Sequence, residues 1–212
     1  SIELAITSSL NELDKRKIKG EIVVVDDGST DCSRKIVEEA VAKDSRVRLL
    51  TKKKNEGIGK AFWDGVATSN YPCVVLIPGD NENNPSEILS FYHLILDVDV
   101  IVPFILNAEI RSISRRLISS VYRLIVNISF GTTLNYTNGI VIYNKEALQS
   151  VNLSSTGFFY QTELLIKLLR RGFLYAEVPQ FLSERGGGES KALSFRSFLS
   201  LSWSFIRLVV DV

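Results

Sequence analysis

The first half of the chain alternates two hydrophobic rhythms. Short β-branched runs read as buried strands: EIVVVDD at 21–27, VRLL at 47–50, CVVLI at 73–77 and DVIVP at 99–103. Between them lie helical stretches. One, capped by Asp31 and Ser33, runs to about residue 43; a second follows GIGK to about residue 69. A third starts near Pro85, with Glu87 at the positive end of its dipole. This β-α-β-α order predicts an α/β fold with a mostly parallel sheet and helices on both faces. Ligands of such sheets bind beyond the carboxyl ends of the strands, where Asp26, Asp27 and Asp80 fall.

The second half changes rhythm. Over residues 113–130, Ile113, Leu117, Ile118, Val121, Leu124, Ile125 and Ile128 share one helical face. Arg115, Arg116, Ser119, Arg123 and Asn127 lie mostly on the other. NGIVIYN (138–144) reads as a strand, FFYQTELLIKLLRR (158–171) as a helix stopped by Gly172, and FLYAEVP (173–179) as another strand. The stretch 192–210, with Phe195, Phe198, Trp203 and Phe205, is apolar, aromatic and mildly basic. There is no internal repeat.

Composition narrows the class without naming it. The 212 residues suit one sizeable α/β domain. A net charge of +1 gives no electrostatic case for nucleic acid. Cys32 and Cys73 are far apart, with neither metal spacing nor a disulfide framework, which fits a reducing compartment. No signal peptide is visible, and the lack of methionine leads us to expect further chain before Ser1. No run reaches the ~18 uncharged apolar residues of a membrane span.

Three segments carry candidate chemistry. VVVDDGSTD sets two carboxylates at a sheet edge, where they could accept from a nucleobase or ribose, or simply form a helix-capping turn. KKKNEGIGKAFWDG (52–65) opens a helix with Gly57 and Gly59, where amides can face an anion or make an ordinary first turn. Its spacing is not that of a P-loop. In IPGDNENNP, Asp80, Glu82 and Asn84 are hard oxygen donors that suit Mg²⁺ or Mn²⁺, with substrate phosphates completing the shell; a bare acidic turn is the alternative.

In this order the three segments resemble family-2 glycosyltransferases with a GT-A fold, and among them the dolichyl-phosphate mannose synthase and polyprenyl-phosphate glycosyltransferase group. VVVDDGSTD resembles the family's nucleotide-binding signature, NEGIGKAFWDG its N-x-G-x-G-x-A-x-x-x-G helix, and GDNENNP its D-x-D metal motif. SRRLISSVYRLIVN, YTNGIVIYNKEAL and GFFYQTELLIKLLRRGFLYAEVP with ERGGGESK are similar to its later segments, the last to an R-x-x-G-x-S-K loop. The resemblance covers nearly the whole chain except a first strand with a Y-N-E signature, expected before Ser1; residues 1–17 then form the first helix. It implies a Rossmann-like GT-A domain over 1–191 and a membrane-proximal amphipathic helix over 192–212.

The resemblance also implies roles. Asp27 holds the nucleotide base, with Asp26, Gly28, Ser29, Asn55, Gly57 and Lys60 around the donor. Asp80 and Glu82, with Asn84 in the family's glutamine position, hold the metal and donor diphosphate. Arg115, Arg185, Ser190 and Lys191 line the acceptor phosphate, and Glu163 faces the sugar; Asp80, Glu82, Arg185 and Glu163 are the catalytic set. Glu82, Asn84, Asn135 and the pair Ile140-Val141 depart from the family pattern and bear on which sugar is carried.

The implied reaction moves a sugar from a donor of GDP-mannose or UDP-glucose type to a polyprenyl phosphate, with inversion, at the cytoplasmic face of a membrane. A phosphate acceptor needs little help from a base, and the sole histidine, His93, reads as structural. Rival readings are a sugar-hydroxyl acceptor, a sugar-nucleotide pyrophosphorylase, and a non-catalytic nucleotide-sugar binder. The 113–130 helix would be about 27 Å long. Three arginines, at about 2.5–3.5 kcal/mol each at a bilayer centre, favour its lying in the interface over crossing. The alternative is that it and the 192–210 segment cover the sheet or each other.

Overall fold

The computed structural model describes residues 1–81, 83–181 and 195–212, with only the backbone over 195–201. Strands β1 (Ile22–Asp26) and β2 (Val47–Thr51) pair in parallel, joined by helix α2 (Ser33–Lys43). Helix α1 (Ile2–Lys15) precedes them, in agreement with the helix expected over 1–17. Helix α3 (Ile58–Thr68) leads from β2 to β3 (Cys73–Val75). The short helix α4 (Pro85–Leu89) and a 3-10 turn (Tyr92–Leu96) lead on to β4 (Val100–Ile105). Then come α5 (Ile113–Phe130), β5 (Ile142–Asn144), α6 (Lys145–Gln149), α7 (Tyr160–Arg170), β6 (Tyr175–Gln180) and α8 (Phe195–Asp211).

A four-stranded sheet has the order β3-β5-β4-β6. Strand β5 runs antiparallel to β3 and β4, whereas β4 and β6 are parallel. Thus β3, β4 and β6 share one direction, and β5 is the inverted strand of this sheet. The strand expected over 138–144 is only three residues long. A Cβ on Gly139 would meet Pro103 Cγ at 2.7 Å and its carbonyl oxygen at 2.9 Å, so the backbone there is laid directly on β4.

Strand β4 alternates as a sheet sandwiched between two layers must. Val100 and Val102 enter the main core with Val126 and Phe130 of α5 and Leu164, Leu165, Ile166 and Leu168 of α7. Ile101 turns to the opposite face, with Ile142 and Val178, under Phe91, Leu94 and Ile95. A third cluster, Ile6, Val37 and Val47, holds α1 and α2 on β2. Helix α8 docks through Leu208, which is buried, and Phe205, whose ring meets Phe130 and Phe159 edge-on at 5.6 and 6.3 Å.

Helix α5 has the predicted bounds, and its predicted apolar face points outward. Ile113, Leu117, Ile118, Val121, Leu124, Ile125 and Ile128 are all exposed, between 47% and 80%. Only Val126 and Phe130 of this helix are buried. The alternative that α5 simply covers the sheet with this face is therefore excluded.

Strand β1 ends on a charge. Asp26 is buried; its Oδ1 accepts from Ser29 N at 2.8 Å and its Oδ2 from Arg34 Nε at 3.0 Å, tying the strand end to α2. Burial alone would raise this carboxyl's pKa, but the hydrogen bonds from Ser29 and the Arg34 guanidinium outweigh it and hold it below the ordinary value of 3.8. A depressed folded-state pKa contributes stability above the unfolded value that is lost as pH falls toward the folded one. Urea denaturation should therefore show stability falling below about pH 4, and Asp26→Asn should flatten that decline. An unchanged acid limb in the variant would refute the assignment.

Candidate active site

The site is built on the carboxyl ends of strands. Because β3, β4 and β6 are parallel, the turn holding Asp80, the segment after Ile105 and the chain after Gln180 emerge at one edge of the sheet. After β1, Gly28 adopts φ 84° and packs so closely that a Cβ would lie 2.8 Å from Lys54 C and 2.9 Å from Asn55 N. The DDG turn is thereby pressed onto the loop before α3, a contact only glycine permits.

Asp27 closes that contact. Its Oδ1 accepts from Glu56 N at 3.0 Å and its Oδ2 from Gly57 N at 2.9 Å. The anion facing the loop amides just before α3 is thus the protein's own carboxylate. The second lone pair on each oxygen leaves Asp27 able to accept from a ligand as well. Lys52 lies behind, largely buried, with its ammonium 2.8 Å from Asp64, 3.4 Å from Glu56 and 3.5 Å from Asp27. Burial would lower the Lys52 pKa; Asp64, Glu56 and Asp27 together raise it instead. Lys60, expected at the donor, is paired with Asp64 one turn on, while Ser29 on the turn after β1 and Asn55 on the loop before α3 are both exposed. Neither Lys52 nor Asp64 stood out in the sequence, although Lys60 and Asp64 have the i,i+4 spacing of a helix pair.

At the other candidate centre, Asp80 is exposed on the turn after β3. Asn81 follows at φ 63°, a left-handed conformation that asparagine tolerates better than most residues. Asn84 caps α4, its Oδ1 accepting from Ser86 N at 2.9 Å, with Pro85 in the first turn. One of its oxygen's lone pairs is therefore committed to the helix. Carboxylate and amide oxygens such as those of Asp80 and Asn84 are hard donors of the kind Mg²⁺ takes while keeping positions for water and phosphate. Among the described residues no group of three His, Cys, Asp or Glu side chains converges on a metal position. Glu82, Arg185, Ser190 and Lys191 lie outside the described residues. Arg115 is half-buried in the first turn of α5.

Glu163 has a different environment from the one expected. It is 2% exposed; Oε1 accepts from Ser154 N at 2.7 Å and Oε2 from Ser155 N at 2.8 Å, with Lys167 Nζ 2.9 Å away. Burial would raise its pKa, but Ser155, Lys167 and Ser154 bring the net value below the ordinary one. So enclosed, this carboxylate cannot face a sugar; it anchors a loop. Sequence spacing offers the i,i+4 pair with Lys167 but not the two backbone amides that enclose the carboxylate.

Comparison with known proteins bears on the family and the fold. The profile described as "Glycosyl transferase family 2" matches residues 1–169. A polyprenol monophosphomannose synthase from Mycolicibacterium smegmatis is 27% identical over 189 residues, covering 80% of this chain and 69% of its own. An undecaprenyl-phosphate mannosyltransferase from Micrococcus luteus is 25% identical over 184 residues, covering 82% and 76%. The crystal structure of glucosyl-3-phosphoglycerate synthase from Mycobacterium tuberculosis with Mn²⁺, UDP and phosphoglyceric acid superposes with a TM-score of 0.68 at 20% identity, over 99% of this chain and 72% of that one. The same enzyme with Mg²⁺ and UDP gives 0.67 at 19% identity, over 96% and 73%. At such identity the structural likeness establishes the GT-A fold alone, and the profile match over most of the chain establishes the rest: the protein belongs to glycosyltransferase family 2.

Proposed function

We propose that the chain transfers a sugar from a nucleotide-sugar donor to a polyprenyl phosphate at the cytoplasmic face of a membrane. The observation that carries the lipid acceptor is the outward-facing apolar stripe of α5, seven large side chains beside Arg115, Arg116 and Arg123. Contiguous exposure of this kind marks an interaction surface, and the basic flank suits anionic lipid. No helix among the described residues is long and apolar enough to cross a membrane. Trp203, Ile206, Val209 and Val210 of α8 are exposed as well. The names of the two mannosyltransferase relatives support the same acceptor class. Both cysteines are free, which suits a reducing compartment.

In this reading Asp27, Gly28, Ser29, Asn55, Gly57 and Lys60 frame the nucleotide, with Asp26 fixing the strand end beneath them. Asp80, Glu82 and Asn84 would hold Mg²⁺ or Mn²⁺. When bound, such an ion neutralises charge growing on the leaving diphosphate. Arg115, with Arg185, Ser190 and Lys191, orients the acceptor phosphate. A phosphate oxygen bonds to the anomeric carbon as the bond to the diphosphate oxygen breaks, and the electron pair leaves with the nucleoside diphosphate. With a second pKa of about 6, the phosphate monoester is already mostly ionised and needs no base. The enclosure of Glu163 supports this over a sugar-hydroxyl acceptor, which would require one.

Two outcomes test the proposal. A calorimetric screen of nucleotide sugars with Mn²⁺ or Mg²⁺ should identify a donor, and Asp80→Ala should cut metal-dependent release of nucleoside diphosphate by about 100-fold or more while the exposed position keeps the fold intact. Turnover without metal, or full activity in Asp80→Ala, would overturn the metal assignment. The protein should also co-float with anionic liposomes, and Leu117→Asp with Leu124→Asp should abolish that. Retention of the protein in the unfloated fraction would count against the lipid acceptor.

A further inference from the structure

Beyond the reaction itself, the fold connects the C-terminal helix to the donor turn through a buried charge. The segment 152–156 crosses the start of α3 with its backbone. Gly59 N donates to Thr156 O at 2.7 Å. A Cβ on Gly57 would lie 2.5 Å from Thr156 O, and one on Gly59 would lie 2.5 Å from Ser155 O. The two glycines thus serve a protein contact: they admit this segment to the loop whose Glu56 and Gly57 amides hold Asp27.

Glu163 and Lys167, one turn apart on α7, fix the segment. Glu163 holds Ser154 N and Ser155 N, and Lys167 Nζ donates to Asn152 O at 2.9 Å. The same ammonium meets Glu163 Oε1 at 2.9 Å and Asp211 Oδ2, near the end of α8, at 2.7 Å. Lys167 and Glu163 are 10% and 3% exposed at their side chains, so their pairing offsets a desolvation cost and is weak evidence of a role in stability alone. Asp211, 55% exposed, makes the solvent-side contact.

We propose that Asp211, Lys167 and Glu163 form a latch by which α8 positions the donor-binding turn at Gly57–Gly59. They are positioning residues, acting on the nucleotide through segment 154–156 and Asp27. The inference rests on the donor-site reading of Asp27 and Gly57. It gives α8 a role beyond anchoring: an event that displaces the helix end would loosen the nucleotide site from a distance.

The test uses the full chain with GDP and UDP titrated in parallel in the presence of Mn²⁺. Glu163→Gln and Lys167→Met should weaken the tighter nucleotide about tenfold, and Asp211→Asn about threefold, with acceptor KM held within about twofold. Asp211→Glu should restore affinity. Hydrogen exchange is read in parallel on peptides spanning 54–60 and 152–159. Asp211→Asn should speed exchange in both, although neither contains the substitution. Unchanged nucleotide affinity in Asp211→Asn and Lys167→Met, or unchanged exchange in Asp211→Asn, would overturn the latch. If the wild-type chain binds neither nucleotide while exchange responds as expected, the donor-site reading fails and the latch survives only as a structural tie.

Discussion

The arrangement depends on one carboxylate, Asp27, at the point where three backbone segments converge. Strand β1 delivers it, the loop before α3 donates two amides to it, and segment 154–156 packs on the far side of that loop. Backbone amides in a loop need an acceptor, and a carboxylate is a strong one. Here the interaction reaches across 30 residues of sequence and fixes a turn by charge and backbone geometry. Glycine at 28, 57 and 59 is what allows the three segments to approach closely enough for one carboxylate to serve. The buried Lys52 then compensates a cluster of three acids that would otherwise repel one another.

The parts of this architecture that were legible in the sequence are those encoded locally. The strand positions follow from short β-branched runs and the bounds of α5 from a period of 3.6, and Pro85 after Asn84 marks a helix start as it should. Strand direction is not local. A three-residue strand such as Ile142–Asn144 reads the same in either sense, and β5 is set against its neighbours by the path of the chain through α5. The face of α5 was equally ambiguous: periodicity shows that Leu117 and Leu124 lie together, not whether protein or solvent meets them.

The candidate site was legible as a set of residue types and less so as a set of roles. Asp27 and Glu163 both looked like ligand-facing acids. Each proves to hold a pair of backbone amides, Asp27 at the surface end of a strand and Glu163 in the interior. Amides carry no sequence signature, so no spacing rule could separate an acid that binds substrate from one that holds a loop. What distinguishes the two is solvent: the Glu163 side chain, held by Ser154, Ser155 and Lys167, is 3% exposed, whereas that of Asp27 is 18% exposed at the end of β1.

That difference bears on the acceptor. A glycosyl transfer to a hydroxyl must remove a proton at the moment of attack, and the residue doing so needs to reach the acceptor. With Glu163 withdrawn into the core, the family-like acids at the open edge are those grouped around the donor. An acceptor that arrives already ionised removes the need for a base, and what it requires instead is positive charge and a means of presenting a lipid-borne group at the sheet edge. In the proposed reading helix α5 would supply both in one element, with arginines along its flank and an apolar stripe turned away from the core. The enclosure of one carboxylate and the exposure of one helix face therefore favour the same chemistry from independent directions.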